Sequence, residues 1–177
     1  SIGASAFANC KNLKKIILPE SLKSIGEGAF EGCSSITEIT LPGSLKSIED
    51  IGFGYSNLTK VNMLEGIESI EDGAFCVCIS LTEITLPKSL KSIGNRAFYG
   101  CNSLMEITLP ESVESIGVRT FYGCGLTKVT LPKGLKSIGN EAFGACTRLE
   151  KAYIPDKLID ACRKAFDSYV PLFVREK

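Results

Sequence analysis

The chain contains no histidine, so the commonest general base of enzymes is missing. Ser-His-Asp and Cys-His chemistries are thereby excluded, and a zinc site would have to rest on cysteine and carboxylate alone. Net charge is absent too. Twenty Lys and Arg balance twenty Asp and Glu, which leaves no long-range field to draw the chain to nucleic acid or to an anionic membrane. No apolar run approaches the roughly 18 residues that span a bilayer, and Ser1-Ile2-Gly3-Ala4 lacks the basic start and apolar stretch of a secretory signal. An initiating Met is also lacking and the first residues fall inside a repeat, so the expectation is a fragment or processed form of a longer protein.

What is present is 44% apolar residues beside 23% charged ones, enough for 177 residues to fold as a single domain, 1–177. The chain is strongly self-similar. Phe7, Phe30, Phe53, Phe75, Phe98, Phe121, Phe143 and Phe166 recur at steps of 23, 23, 22, 23, 23, 22 and 23. Ser-Ile recurs with them from Ser24-Ile25 to Ser137-Ile138, and Leu-Pro from Leu18-Pro19 to Leu131-Pro132. Fixed-period repetition of this length marks a solenoid, here of about seven and a half coils of 22–23 residues.

Within one coil, Leu13, Ile16 and Leu18 have the spacing of a short strand whose alternate side chains face inward. Pro19 lacks a backbone donor and ends it. A second apolar pair follows at Leu22 and Ile25. A stretch rich in Gly and Ala then leads to Phe30 and Cys33, as suits a tight bend or a single helical turn. One coil cannot bury its inward side chains alone, but stacked copies turn each position into a ladder, with phenylalanine as the spine.

The pattern Ser-Ile-Gly-x-x-Ala-Phe-x-x-Cys-x-x-Leu-x-x-Ile-x-Leu-Pro-x-x-Leu resembles the BspA-type leucine-rich repeat family over nearly the whole chain. The resemblance implies a mainly β, right-handed leucine-rich-repeat solenoid or shallow horseshoe with short parallel strands and short helical or irregular bends. It also implies surface or secreted proteins of host-associated anaerobes and mucosal protozoa, several of which adhere to host matrix proteins or to other cells.

The repeat has departures. In the third coil Gly52 precedes Phe53, Ser56 stands in the Cys position and Met63-Leu64 replaces Leu-Pro, which predicts a local kink. The sixth coil is shortened near Gly123-Cys124-Gly125. Beyond Ile154-Pro155 the pattern weakens, and the tail, residues 167–177, is expected to fold over the open end as a cap.

Six of the eight cysteines, Cys10, Cys33, Cys78, Cys101, Cys124 and Cys146, occupy one repeat position three residues after Phe. A ladder of small buried side chains accounts for them, with no disulfide, metal or cofactor. Cys162 falls outside that ladder and is expected to be an exposed thiol. Paired carboxylates such as Glu49-Asp50 and Glu71-Asp72 belong to solvated bends, so the expectation is a protein without catalytic activity.

Two surfaces are candidates for binding a protein ligand such as a matrix or cell-surface protein. The outward strand positions carry Lys60, Glu83, Glu106 and Lys128 in one row and Thr85, Thr108, Thr130 and Tyr153 in the next. Such a face serves equally as a solubilising surface or as a polar binding sheet. The sharper candidate is the bend, where Arg96 and Arg119 are matching positions of adjacent coils, as are Tyr99 and Tyr122. Arg and Tyr concentrate binding energy at interfaces, and other coils place Ala8, Glu31, Gly54 and Gly144 where the tyrosines stand. A rigid spacer presenting another region is the alternative role. Asn57-Leu58-Thr59 is a glycan acceptor for a chain on a eukaryotic secretory route.

Overall fold

The computed structural model describes residues 1–175, and the chain winds as the phenylalanine spacing predicts, with short parallel strands stacked coil on coil. In chain order these are β1 (Glu38–Leu41), β2 (Ser47–Ile48), β3 (Lys60–Met63), β4 (Ser69–Ile70), β5 (Glu83–Thr85), β6 (Ser92–Ile93), β7 (Ser115–Ile116), β8 (Lys128–Thr130), β9 (Ser137–Ile138) and β10 (Lys151–Pro155). A 3-10 turn at Asp156–Leu158, the helix α1 (Ile159–Ala165) and β11 (Leu172–Arg175) complete the described residues.

The Leu-x-x-Ile-x-Leu segments form the first kind of ladder. β1, β3 and β5 pair in parallel, Glu38 beside Lys60 beside Glu83, and the inward residues Ile39, Leu41, Val61 and Met63 are buried. A second sheet runs β8, β10, β11. Glu106 to Leu109 form no strand between them, although Leu104 and Leu109 stay buried, and the strand expected at Leu13, Ile16 and Leu18 does not form either, that segment having no ladder partners. On this face the stacked side chains take over from the strand ladder, while the other faces keep their hydrogen bonds from coil to coil.

The Ser-Ile pairs form a ladder of their own. β2, β4, β6, β7 and β9 make a five-stranded parallel sheet, each two residues long, with Ile48, Ile70, Ile93, Ile116 and Ile138 buried. The bend forms yet another: the Phe53, Phe75, Phe98 and Phe121 amides donate to the carbonyls of Ala74, Ala97, Thr120 and Ala142 one coil on, at 2.7–2.9 Å. The Ser-Ile and bend faces thus spend backbone donors on the neighbouring coil, which satisfies polar groups that the core would otherwise bury unpaired.

The eight repeat phenylalanines stack in one column, centroids 4.8–5.4 Å apart. The kink expected at the third coil does not interrupt it, since Phe53 lies 5.1 Å from Phe30 and 5.4 Å from Phe75 with the rings within 5° of parallel. The largest tilt, 15°, falls between Phe121 and Phe143, across the shortened sixth coil. Beside this column Cys33, Cys78, Cys101, Cys124 and Cys146 are buried free thiols. Each donates to the carbonyl of the preceding coil's phenylalanine at 3.0–3.2 Å, as Cys101 does to Phe75. Ser56 in the third coil keeps the column continuous, its hydroxyl 3.4 Å from the Cys78 sulfur.

Two regions near the C-terminus depart from the repeat. The expectation of an exposed Cys162 is overturned: α1 replaces the bend here, and helical spacing turns Cys162 and Ala165 inward while Asp160, Arg163 and Lys164 stay in solvent. The tail expected as a cap supplies β11, one more parallel rung on β10, with Phe173 and Val174 exposed. Its residues 176 and 177 lie outside the described residues.

Candidate functional site

The bend positions each of the four residues singled out there. The residue two before each Phe adopts a left-handed backbone in every coil from Ser5 to Glu141, with φ +53° at both Arg96 and Arg119. Glycine meets this requirement freely at Gly28 and Gly73, whereas an L-residue costs about 1–2 kcal/mol there. The two arginines are thus tolerated by the fold and not selected by it. Tyr99 and Tyr122 follow the phenylalanines directly, and their rings stack 5.3 Å apart at 5°. The Arg119 guanidinium lies 5.6 Å from the centre of the Tyr122 ring and donates through Nε to Glu141. Among the described residues Arg96 has no acidic group within ion-pair distance.

This cluster forms one end of a groove of about 790 Å³ along the bends of the second to sixth coils. Arg96, Arg119 and Tyr99 line it, while Tyr122 stands beside it, packed on Tyr99. Sequence reasoning did not assemble the rest. Exposed Tyr55 and half-buried Ile51, Cys76 and Val77 form its apolar lining. Glu27, Asp50 and Asp72, three residues before successive phenylalanines, form an acidic row at the other end. Their shared repeat position was the available signal. Asp72 accepts from the Asn95 amide at 2.7 Å and from its side-chain nitrogen at 2.9 Å, and the Asn95 carbonyl oxygen of the side chain accepts from the Val118 amide at 2.8 Å. Burial holds the Cys76 thiol above its ordinary range, so it lines the groove as a neutral group.

The candidates on the strand face do not come together as one site. Lys60 and Glu83 pair with each other at 2.9 Å, which raises the lysine's pKa and occupies both charges. Thr85 is exposed at the end of β5. Glu106 and Thr108 are exposed in the strandless gap. Beyond it, Lys128 and Thr130 are exposed on β8, and the Lys128 ammonium lies 5.1 Å over the half-buried Tyr153 ring. Tyr153 in turn meets Phe173 of β11 at 5.6 Å, a contact the weak repeat pattern of the tail concealed. Near the first coils a second depression of about 810 Å³ includes Lys60, Thr85 and Ile17, the last 81% exposed.

The fold is shared with solved bacterial proteins. A leucine-rich repeat protein from Bacteroides ovatus superposes with a TM-score of 0.67 at 26% identity, over 98% of this chain and 49% of that one. The leucine-rich repeat protein of T. pallidum gives 0.55 at 28%, over 78% and 67%. A leucine-rich cell surface protein from Faecalibacterium prausnitzii gives 0.58 at 21%, over 99% and 63%. The chain thus spans about half the length of the B. ovatus protein. No curated protein matches it in sequence. The BspA-type leucine-rich repeat region matches residues 1–92 and 68–172 in six copies, a slightly lower count of turns than the phenylalanine spacing predicts. With this repeat along nearly its whole length, the chain belongs to the BspA-type leucine-rich repeat family.

Proposed function

We propose that this chain is a non-catalytic, adhesin-like binding module of a displayed or secreted repeat protein, and that it holds a protein partner through the bend groove. The carrying observation is the arginine and tyrosine cluster at the groove's end. Tyr99 and Tyr122 are stacked and half-exposed, Arg96 is exposed without an ion pair among the described residues, and no repeat requirement puts these residue types there. Rigid aromatic rings bury large contact areas at low entropic cost and arginines add a planar fork of donors, which is how interface energy becomes concentrated in few residues. Display at the surface is supported by the F. prausnitzii protein of the same fold, whose name places it on the cell surface. The strand face offers less, because its charges are already paired or divided by the gap at Glu106 and Thr108.

The test is a binding screen of the chain against extracellular-matrix and cell-surface proteins, with a Tyr99→Ala/Tyr122→Ala variant alongside. Saturable binding that the variant loses by about tenfold or more, a change of about 1.4 kcal/mol, supports the reading. A bound partner that ignores the double substitution moves the site off the groove. Failure to bind any partner favours the rigid-spacer role.

A further inference from the structure

Charge is sorted along the groove. Its acids, Glu27, Asp50 and Asp72, belong to the second, third and fourth coils, and its bases, Arg96 and Arg119, to the fifth and sixth. Coil geometry does not demand this order, for the acidic position holds Ala4, Val118 and Asn140 elsewhere. Among the described residues neither Glu27 nor Asp50 has a basic group within ion-pair distance, and like charges stacked one coil apart repel one another. Beside the acids of the third and fourth coils lie Ile51, Tyr55 and Val77, an apolar strip open to solvent.

We propose that the groove takes an extended segment of a partner protein whose basic side chains face Glu27, Asp50 and Asp72, whose acidic side chains face Arg96 and Arg119, and whose basic half also carries apolar side chains that lie along Ile51, Tyr55 and Val77. The inference rests on the protein-binding reading above and specifies its ligand. Dimensions agree with it. Four coil steps separate Glu27 from Arg119, and the neighbouring phenylalanine rings are spaced 5.1–5.4 Å along the same axis. That gives a length of roughly 20 Å, which an extended chain rising about 3.3 Å per residue crosses in about six residues. Phosphate-rich polymers do not suit the acidic end, and a uniformly basic segment does not suit the arginines.

Three labelled peptides of equal length test it by fluorescence anisotropy at low and at physiological salt. One places acidic residues at one end and basic residues interleaved with Tyr and Leu at the other; the second is uniformly basic with the same Tyr and Leu; the third is uniformly acidic with them. The charge-sorted peptide is expected to bind at least about tenfold tighter than either other, with the advantage shrinking as salt rises. In Glu27→Lys/Asp50→Lys, which changes two exposed side chains without hydrogen-bond partners among the described residues, the uniformly acidic peptide becomes the preferred one. Equal binding of the three peptides, an unchanged order in the variant, or no saturable binding below about 1 mM overturns the proposal. The two readings fail separately. A screened partner lost in Tyr99→Ala/Tyr122→Ala but unaffected by Glu27→Gln/Asp50→Asn sinks the charge-sorted ligand and leaves the binding module standing. A partner indifferent to the tyrosines sinks the groove itself.

Discussion

A benzyl side chain in this solenoid is packed on both faces when coils lie above and below it. Phe98 is fully buried, 5.4 Å from Phe75 and 5.3 Å from Phe121. Phe7 has Phe30 on one side at 5.2 Å and is half-buried. Phe98→Ala therefore lowers stability by about 3–5 kcal/mol, and Phe7→Ala by clearly less, in urea unfolding followed by circular dichroism. Equal losses would contradict a spine built from neighbour contacts. Backbone conformation sets a second residue-scale cost. The position two after each Phe from Phe7 to Phe143 is left-handed, occupied by Gly32, Gly100 and Gly123 but also by Asn9, Tyr55, Val77 and Ala145. A Cβ on Gly100 meets no atom nearer than 3.9 Å, so Gly100→Ala tests φ alone and is expected to cost about 1–2 kcal/mol in the same measurement. That conformational ladder was invisible in the sequence because its residues share no chemistry, whereas the phenylalanine column could be counted directly.

Each ladder acts as one element, and the thiol column shows this through pH. Burial pushes Cys78 of the column up to about 11 and Cys146 up to about 12, and outside the column Cys162 up to about 11, against roughly 8.5 for an unfolded thiol. Below about pH 8.5 both states keep the proton and the contribution of these groups is constant. Above it the unfolded chain releases protons that the folded chain retains, so stability falls as pH rises toward 11, by up to about 1.4 kcal/mol per pH unit for each thiol. The expected result is a urea midpoint that declines between about pH 8 and pH 10.5, with a shallower decline in Cys78→Ala, which removes one such group. A slope unchanged by that substitution would assign the alkaline loss to other residues. The glycine of Ser-Ile-Gly works at the same scale, because a Cβ on Gly117 would stand 2.6 Å from the Asn95 amide nitrogen of the preceding coil. Gly117→Ala forces those coils apart and should cost about 1–3 kcal/mol, with faster amide exchange at Ser115–Gly117 as the signature. Elements were legible in proportion to their length and period. Leu-x-x-Ile-x-Leu announced strands in most coils, though none forms at residues 13–18 or 104–109, while a two-residue Ser-Ile strand has no alternation to read and its five-stranded sheet is seen only in the structure. Cys162 was misplaced because a 23-residue template was carried into a stretch with helical spacing, where Cys162 and Ala165 share the inward face. In the groove, the arginine and tyrosine pairs stood out as exceptions to the repeat, while the acids of Glu27, Asp50 and Asp72 were lost among the many charges of ordinary bends.

At the scale of the whole molecule, contacts run from each coil to the next, and stability is a sum of coil terms and interface terms along one axis. Such an array tolerates loss of a whole unit far better than loss of half a unit. Residues 94–116 form one 23-residue coil, from the Gly after β6 to the end of β7. Their removal joins Ile93 to Gly117, the same step of the repeat, so Phe75 comes to stack on Phe121 and Ile93 takes the place of Ile116 beside Ile138 of β9. The shortened chain is expected to unfold cooperatively, with a circular dichroism spectrum of the parent shape and a urea slope reduced in step with the surface it no longer buries. Removal of residues 94–104, half a coil, sets inward positions against outward ones in every later coil and should give broad, early unfolding. The in-phase deletion also removes Arg96 and Tyr99 while leaving Arg119 and Tyr122, so it separates the two roles of the bend: the scaffold survives it and the groove does not. Cooperative unfolding of both deletions alike would show that the chain is not an array of interchangeable coils, and would detach the binding groove from the repeat logic on which it was located.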